Sequence, residues 1–489
     1  MREAISALSA YYYALYLCLV RGAKYFSLPR DMPAESRLFV YSLVLHIRLF
    51  SAPHYRSGTF GNDARKNLRN VALPGTGLPL SALCHSRLLA IAFLWIGVPL
   101  CALASAIIQT IKLRSSFATV FAEALLATGE GGRAWFHYWR LNCAIASYHA
   151  LTTADEGYAL EDKLVFLESC EREGVAVTPW LRQPRVIVKH RNEEGGLGLH
   201  LYSNAASGGD WIIQAALSNH SSLARVCARA GSLTPPPICT SPTPTVPHPA
   251  PLLLASSMNR TPADFHPLAP ARFLLTPPSA LSSRAPPSQL LPKDAPLSTL
   301  RLITASKASA RPPTRSDGTA DAGEPDDAIL LSACFRAGRE GATTDHSCIM
   351  FDMDVPAGRC KKGTSNSHWY QLGVGKAMRC PWYSEGHTIA EHPDTGFKVD
   401  GEAIPGMAEA VELVTRAHHK LMPRVPLVGW DVAITKEHGI LLLEANLSCN
   451  FFRATFDLGE YTAFLESVLR FLEGGGQPEA PAAIPKKNL

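Results

Sequence analysis

Three polar side chains set in two short apolar runs are the residues of this chain best suited to hold a cation. The first run is Val428-Gly429-Trp430-Asp431-Val432-Ala433-Ile434 and the second is Ile440-Leu441-Leu442-Leu443-Glu444-Ala445-Asn446. Between them lies Lys436-Glu437-His438-Gly439, a polar turn ending in glycine, and the β-branched, apolar flanks predict an antiparallel hairpin. Folding about that turn sets Asp431 opposite Glu444, and the period of two puts Asn446 on the face of Glu444. Trp430, Val432, Ile434, Leu441 and Leu443 fall on the other face and require a core. Two carboxylates held close repel, and apolar strands around them raise the cost. A divalent cation reverses that cost. Mg²⁺ takes a few carboxylate or amide oxygens and completes its shell with waters and phosphate oxygens. The plain alternative is a surface hairpin with a solvated polar face.

Other residue types suit a phosphate-bearing ligand. Lys189 ends Arg185-Val186-Ile187-Val188-Lys189, which reads as a strand, and it precedes Gly195, Gly196 and Gly198. Glycines there allow close approach of backbone N–H groups to phosphate oxygens, although a simple turn has the same composition. Arg301 stands mid-strand in Ser298-Thr299-Leu300-Arg301-Leu302-Ile303-Thr304, an alternating run that predicts a half-buried strand. A half-buried arginine needs an anion beside it. Gly373-Val374-Gly375-Lys376 lacks P-loop spacing and carries no weight. Arg336, Arg339, Asp345 and His346 form either a polar cluster or a solvated loop. Cys449 has the chemistry of a nucleophile, but a buried structural thiol is the commoner role. His418 and His419 read as surface residues of a helix, and His392-Pro393-Asp394-Thr395-Gly396 as a turn.

The elements that must position these groups are mixed. Asp162 to Glu173 has helical apolar spacing, Trp211-Ile212-Ile213-Gln214 reads as a short strand, and Cys348 to Asp354 as another. An amphipathic helix from Met407 to Leu421, ended by Pro423, leads into the hairpin, and Thr462 to Leu472 predicts a closing helix. This mixture predicts an α+β fold. At 489 residues the chain has room for more than one domain, and its net charge of +5, without arrayed basic and aromatic residues, excludes a nucleic-acid partner. Twelve cysteines without a C-x-x-C pair fit a reducing compartment better than a disulfide scaffold.

Leu88 to Ile111 is 24 residues without a charge. As a helix it reaches about 36 Å, against a bilayer core of about 30 Å, and is expected to span a membrane once. Basic residues lie on both sides and leave its orientation open. Ala10 to Val20 is too short to span and reads as an interfacial or core helix. Residues 231–296 hold 17 of the 37 prolines and only two acids, Asp264 and Asp294, a composition that predicts a disordered insertion or a translated intron.

A lysine helix, a strand lysine with a glycine loop, a strand ending in glutamine, a strand arginine and a D…E-x-N hairpin, in that order, resemble the ATP-grasp superfamily. Within it, the pattern is similar to the sugar-transfer-associated ATP-grasp family, related to α-L-glutamate ligases. The residues carrying the resemblance are Glu161-Asp162-Lys163, Val188-Lys189, Ile213-Gln214, Leu297 to Thr304, His392 to Gly396, Val428 to Ala433, and Leu443 to Asn446. It implies two α+β subdomains clamping ATP, with parts at 135–230 and 297–472 separated by the 231–296 insertion. Residues 1–87 would be an N-terminal extension, 88–111 the membrane helix in place of the usual substrate domain, and 473–489 a flexible tail. It further implies Lys163 and Lys189 on the phosphates, Gly195, Gly196 and Gly198 as a lid, and Gln214 beside the adenine. Asp431, Glu444 and Asn446 would hold one or two Mg²⁺, and Arg301, with Lys189, would act on the transferred phosphate or the acid. The chemistry implied is attack of a small carboxylate on ATP and opening of the acylphosphate by an amine or thiol. Two other readings share the fold: a nucleotide-binding module without catalysis, and a kinase-like phosphotransferase.

Overall fold

The computed structural model describes residues 2–68, 80–82, 85–126, 135–189, 199–224, 289–312, 327–342, 348–365, 388–451 and 454–474. Its helices are α1 (Arg2–Leu15), α2 (Ala34–Leu49), α3 (Phe60–Leu68), α4 (Arg87–Ala92), α5 (Val98–Leu113), α6 (Phe117–Leu126), α7 (Trp135–Thr153), α8 (Lys163–Arg172), α9 (Ser221–Ala224), α10 (Met407–Leu421) and α11 (Leu458–Leu472). Strands β1 (Arg185–Lys189) and β2 (Leu199–Ser203) pair as a hairpin. Six more, β3 (Thr299–Ser306), β4 (Ala328–Ala337), β5 (Ile349–Asp354), β6 (Arg359–Ser365), β7 (Leu427–Thr435) and β8 (Gly439–Asn446), form one antiparallel sheet in the order β6-β5-β4-β3-β7-β8. The fold is α+β.

Strand β3 is buried along its whole length between β4 and β7, more deeply than its alternating sequence predicts. Side chains of successive strand residues point to opposite faces. Leu300 and Leu302 join Phe335, Trp430 and Val432 in a core covered by Ala410, Val414 and Ala417 of α10. Ile303 and Ala305, which alternate with Leu300 and Leu302 along β3, join a second core with α1, α2, α6, α7 and α11. Arg301, Arg336, Asp431 and Glu444 alternate with residues of the first core, so they stand on the sheet face that the N-terminal helices cover.

The N-terminal region is therefore part of this unit. Tyr25 N and Tyr41 Oη donate to Glu473 Oε1 at 2.8 and 2.5 Å, and Arg37 and Tyr25 hold Glu466, which ties α2 to α11. Arg2–Val20 and Arg87–Ile111 are both long and apolar enough to cross a membrane. A single π-helical turn, Phe93–Gly97, joins α4 to α5.

Three sequence expectations need correction. Trp211–Gln214 forms no strand; Trp211 and Gln214 make isolated bridges to Asn204 and Trp180. His418 is fully buried, because Thr304 and the Val425 carbonyl supply polar partners at 2.7 and 2.9 Å. Residues 289–296 of the expected insertion are in the fold: Leu290 and Leu291 are buried in the first core, and Asn219 Nδ2 donates to the Pro296 carbonyl at 3.0 Å. Cys227–Pro287 lies outside the described residues. The end of the expected tail, from residue 475, also lies outside them, whereas Glu473 is buried.

Candidate active site on the carboxylate hairpin

The hairpin forms with Asp431 directly opposite Glu444. Its route to that register differs from a simple fold-back. Thr435 pairs with Gly439, whose φ of +70° suits glycine, which leaves a three-residue loop. Alone this would shift the pairing by one, but a β-bulge beyond Val432 takes up Leu443 and restores Asp431 to Glu444. Ile440 and Leu442 consequently pack with the Trp430 face, in place of the expected Leu441 and Leu443.

Register also places Arg301 opposite Asp431 on the other side of β7. Arg301 Nε lies 2.6 Å from Asp431 Oδ1 and its Nη2 donates to Oδ2 at 3.1 Å, while Arg336 Nη1 of β4 donates to Oδ1 at 3.1 Å. Gly429 makes room for this fork, since a Cβ there would come within 3.0 Å of Arg301 Nη1 and 2.7 Å of Cys449 Cβ. Asp431 is the anion the mid-strand arginine required. Burial raises its pKa, against the pull of the two guanidiniums.

Glu444 has a different environment. Asp162 caps α8, with Oδ1 accepting from Leu164 N and Val165 N, so Lys163 starts the helix. Its Nζ reaches Glu444 Oε2 at 2.9 Å, and Asn446 Nδ2 donates to Oε1 at 3.3 Å. Partial burial pushes the Glu444 carboxyl up, but Lys163 foremost brings it down to about 2. These groups border a cavity of about 330 Å³, to which Lys163, Arg301, Glu444 and Asn446 all contribute. Arg56, Asn67 and Trp139 of the N-terminal region also line it. Arg56 Nη2 sits 2.5 Å from Glu161 Oε1 and donates to Ser448 Oγ at 2.7 Å, and Glu161 Oε2 accepts from Leu447 N at 2.8 Å. Arg56 is the participant least visible in the sequence: it lies 392 residues from Ser448 and in no motif. Of the residues expected to cluster with Arg336, Arg339 pairs with Asp394 at 2.6 Å, and Asp345 and His346 lie outside the described residues.

Gln214 is not among the residues that line this cavity. Lys189 ends β1 in the separate hairpin, Gln214 is exposed, and Gly195, Gly196 and Gly198 lie outside the described residues, as does Gly373-Val374-Gly375-Lys376. Cys449 is fully buried, its thiol pushed up to about 12 by burial, which suits a structural thiol. His392 to Gly396 forms the expected turn, with Asp394 held by Arg339.

No three His, Cys, Asp or Glu side chains converge as a cation site among the described residues. A cation here must instead share a carboxylate and an amide with outside oxygens, as Mg²⁺ does with waters and phosphates. Glu444 and Asn446 fit that role, because both border the cavity and Glu444 is held ionised. Asp431 stands behind them with its oxygens taken by arginines.

Residues 372–455, the stretch carrying α10 and the hairpin, match the family model of the sugar-transfer associated ATP-grasp proteins. No curated protein and no solved structure matches the chain.

Proposed function

We propose that this protein is an ATP- and Mg²⁺-dependent ligase that activates a small carboxylate as an acylphosphate for attack by an amine or thiol, and that it works attached to a membrane. The observation supporting it most strongly is the pairing of Glu444 with Lys163 and Asn446 at one cavity that Arg301 also lines, with the hairpin inside the stretch that matches the ATP-grasp family model. In this reading Mg²⁺ would neutralise phosphate charge as the γ-phosphoryl group moves to the acid. Glu444 and Asn446 would hold the ion, with Asp431 as an inner carboxylate. Lys163 would pass from Glu444 to a phosphate oxygen once the metal takes its place. Arg301, fixed by Asp431, would present its guanidinium to the acid or the transferred phosphate. The β1–β2 hairpin with Lys189 and the following glycines would cover the nucleotide, with Gln214 beside the adenine. Buried free thiols suit a reducing, ATP-containing compartment.

The test is incubation of the full chain with Mg-ATP, a panel of small acids and hydroxylamine. Acid-dependent ADP release with hydroxamate formation is the result expected. A phosphorylated product without hydroxamate would make the protein a kinase, and nucleotide binding without ADP release would make it a binding module.

A further inference from the structure

The helical run α4–α5 shows two faces of opposite character. Leu94, Val98, Ala102 and Ala106 recur every four residues, are at most 4% exposed, and pack into the core shared with α1 and α6. On the other side Ile96, Leu100, Leu103, Ile107 and Ile111 follow steps of four, three, four and four, and are 38–75% exposed. This is one continuous apolar row, about 23 Å long at a rise of about 1.5 Å per residue. Exposed arginines bracket the run at Arg87 and Arg114, and no acid stands between them.

A helix that crosses a bilayer is bordered by lipid or by other spanning segments. Here the inner row belongs to the body of the protein. The π-helical turn leaves the carbonyls of Leu94 and Trp95 to accept from Tyr11 Oη and Tyr12 Oη, both at 2.8 Å. The core behind it continues to Ile303, Leu427 and Tyr461 of the sheet domain. To cross, the run would have to shed that row and leave the two tyrosine hydroxyls without acceptors, or draw polar groups such as Arg37 and Glu466 towards hydrocarbon.

Resting on the membrane attachment proposed above, we infer that α4–α5 lies in the plane of an anionic bilayer surface, with its outer row sunk into one leaflet and Arg87 and Arg114 on acidic headgroups. The protein then enters and leaves the membrane on the same side, and the catalytic cavity stays beside that surface. An interfacial helix of this kind binds through buried apolar area plus attraction to anionic lipid.

Two single substitutions, His85→Cys and Ser116→Cys, flank the run. In sealed membrane vesicles from cells expressing the full chain, a membrane-impermeant maleimide should treat both positions alike, over the background of the unsubstituted chain. If one position labels freely and the other only after detergent, the helix crosses and the in-plane arrangement is wrong, although membrane attachment survives. Flotation adds a second readout. The full chain should bind phosphatidylcholine vesicles more tightly when they contain phosphatidylglycerol, and Leu100→Glu with Ile107→Glu should lower binding about tenfold or more without moving the melting temperature. Unchanged flotation of that double variant would overturn the inference. A chain that floats with neither vesicle type would remove membrane attachment itself.

Discussion

Glu444 and Asp431 face each other across neighbouring strands, yet their surroundings move their acidities in opposite directions. Burial raises Asp431, while Lys163 and its neighbours outweigh burial at Glu444 and lower it from 4.5 to about 2. Such divergence suits a division of labour, with an outer carboxylate ready for a cation and an inner one anchoring an arginine. Glu444→Gln keeps the shape and removes the charge; Mg-ATP turnover should fall at least about a hundredfold in a chain that still unfolds cooperatively, with a melting temperature lowered no further than loss of the Lys163 ion pair requires. Wild-type turnover would exclude Glu444 as a metal ligand. Because the folded pKa of Glu444 lies below its unfolded value, its ion pair stabilises fully above about 4.5 and is lost as pH falls towards about 2. Asp431, being raised, contributes with the opposite sign, so the measurement must be a difference. Lys163→Ala should lower the melting temperature near neutrality, and the gap from wild type should close as pH falls from 4.5 towards 2. A gap independent of pH would mean that Lys163 stabilises by packing. These residues were legible in the sequence because strand periodicity and a charged residue between apolar neighbours are local signals. Arg56 had no such signal, since its partners Glu161 and Ser448 meet it only in the folded chain.

Elements were easier to find than their faces. Strands β1, β3, β5, β7 and β8 and helices α8, α10 and α11 stand close to their expected places. The bulge at Leu443 was hidden, because a one-residue bulge leaves no mark in a run of leucines, and it reverses which leucines meet the core. His418 was misplaced for a related reason. It lies one turn beyond Val414 on the buried side of α10, and its polarity argued for the surface. In the fold Trp430 Nε1 donates to Thr304 Oγ1, which meets His418 Nδ1, while Nε2 faces the Val425 carbonyl. A carbonyl only accepts, so the proton sits on Nε2, and the chain runs from tryptophan through threonine to histidine. Burial lowers the His418 pKa to about 4, which keeps the ring neutral and the chain intact. The relay links β3, β7 and α10 one residue from Asp431. Thr304→Val removes the middle of it and strands two buried groups, at a cost of about 2–4 kcal/mol. Chemical denaturation measures this, and a change below about 0.5 kcal/mol would show that the relay holds nothing.

At the scale of the whole molecule, composition located the insertion but not its end. Residues 231–296 share one proline-rich character, yet the last eight belong to the fold. Leu290 and Leu291 are 0% and 2% exposed and pack in the core that also holds Leu223, so the chain leaves and re-enters at neighbouring places. Asn219 joins the two ends, donating to the Pro296 carbonyl and accepting from Ser298 N at 2.7 Å. Proline is compatible with such a segment because it runs outside any strand ladder and needs few N–H donors. Two deletions separate composition from packing. Removing 231–287 and joining the ends with a short glycine-serine linker should leave the melting temperature within about a degree of wild type, since loop length has a shallow effect on stability. Extending the deletion to 296 also removes two buried leucines, worth about 1.5–3 kcal/mol each, and the acceptor of Asn219, and should lower it by several degrees. If both deletions behave alike, the segment from Gln289 contributes nothing to the core; if the shorter one is already destabilising, residues 231–287 take part in the fold.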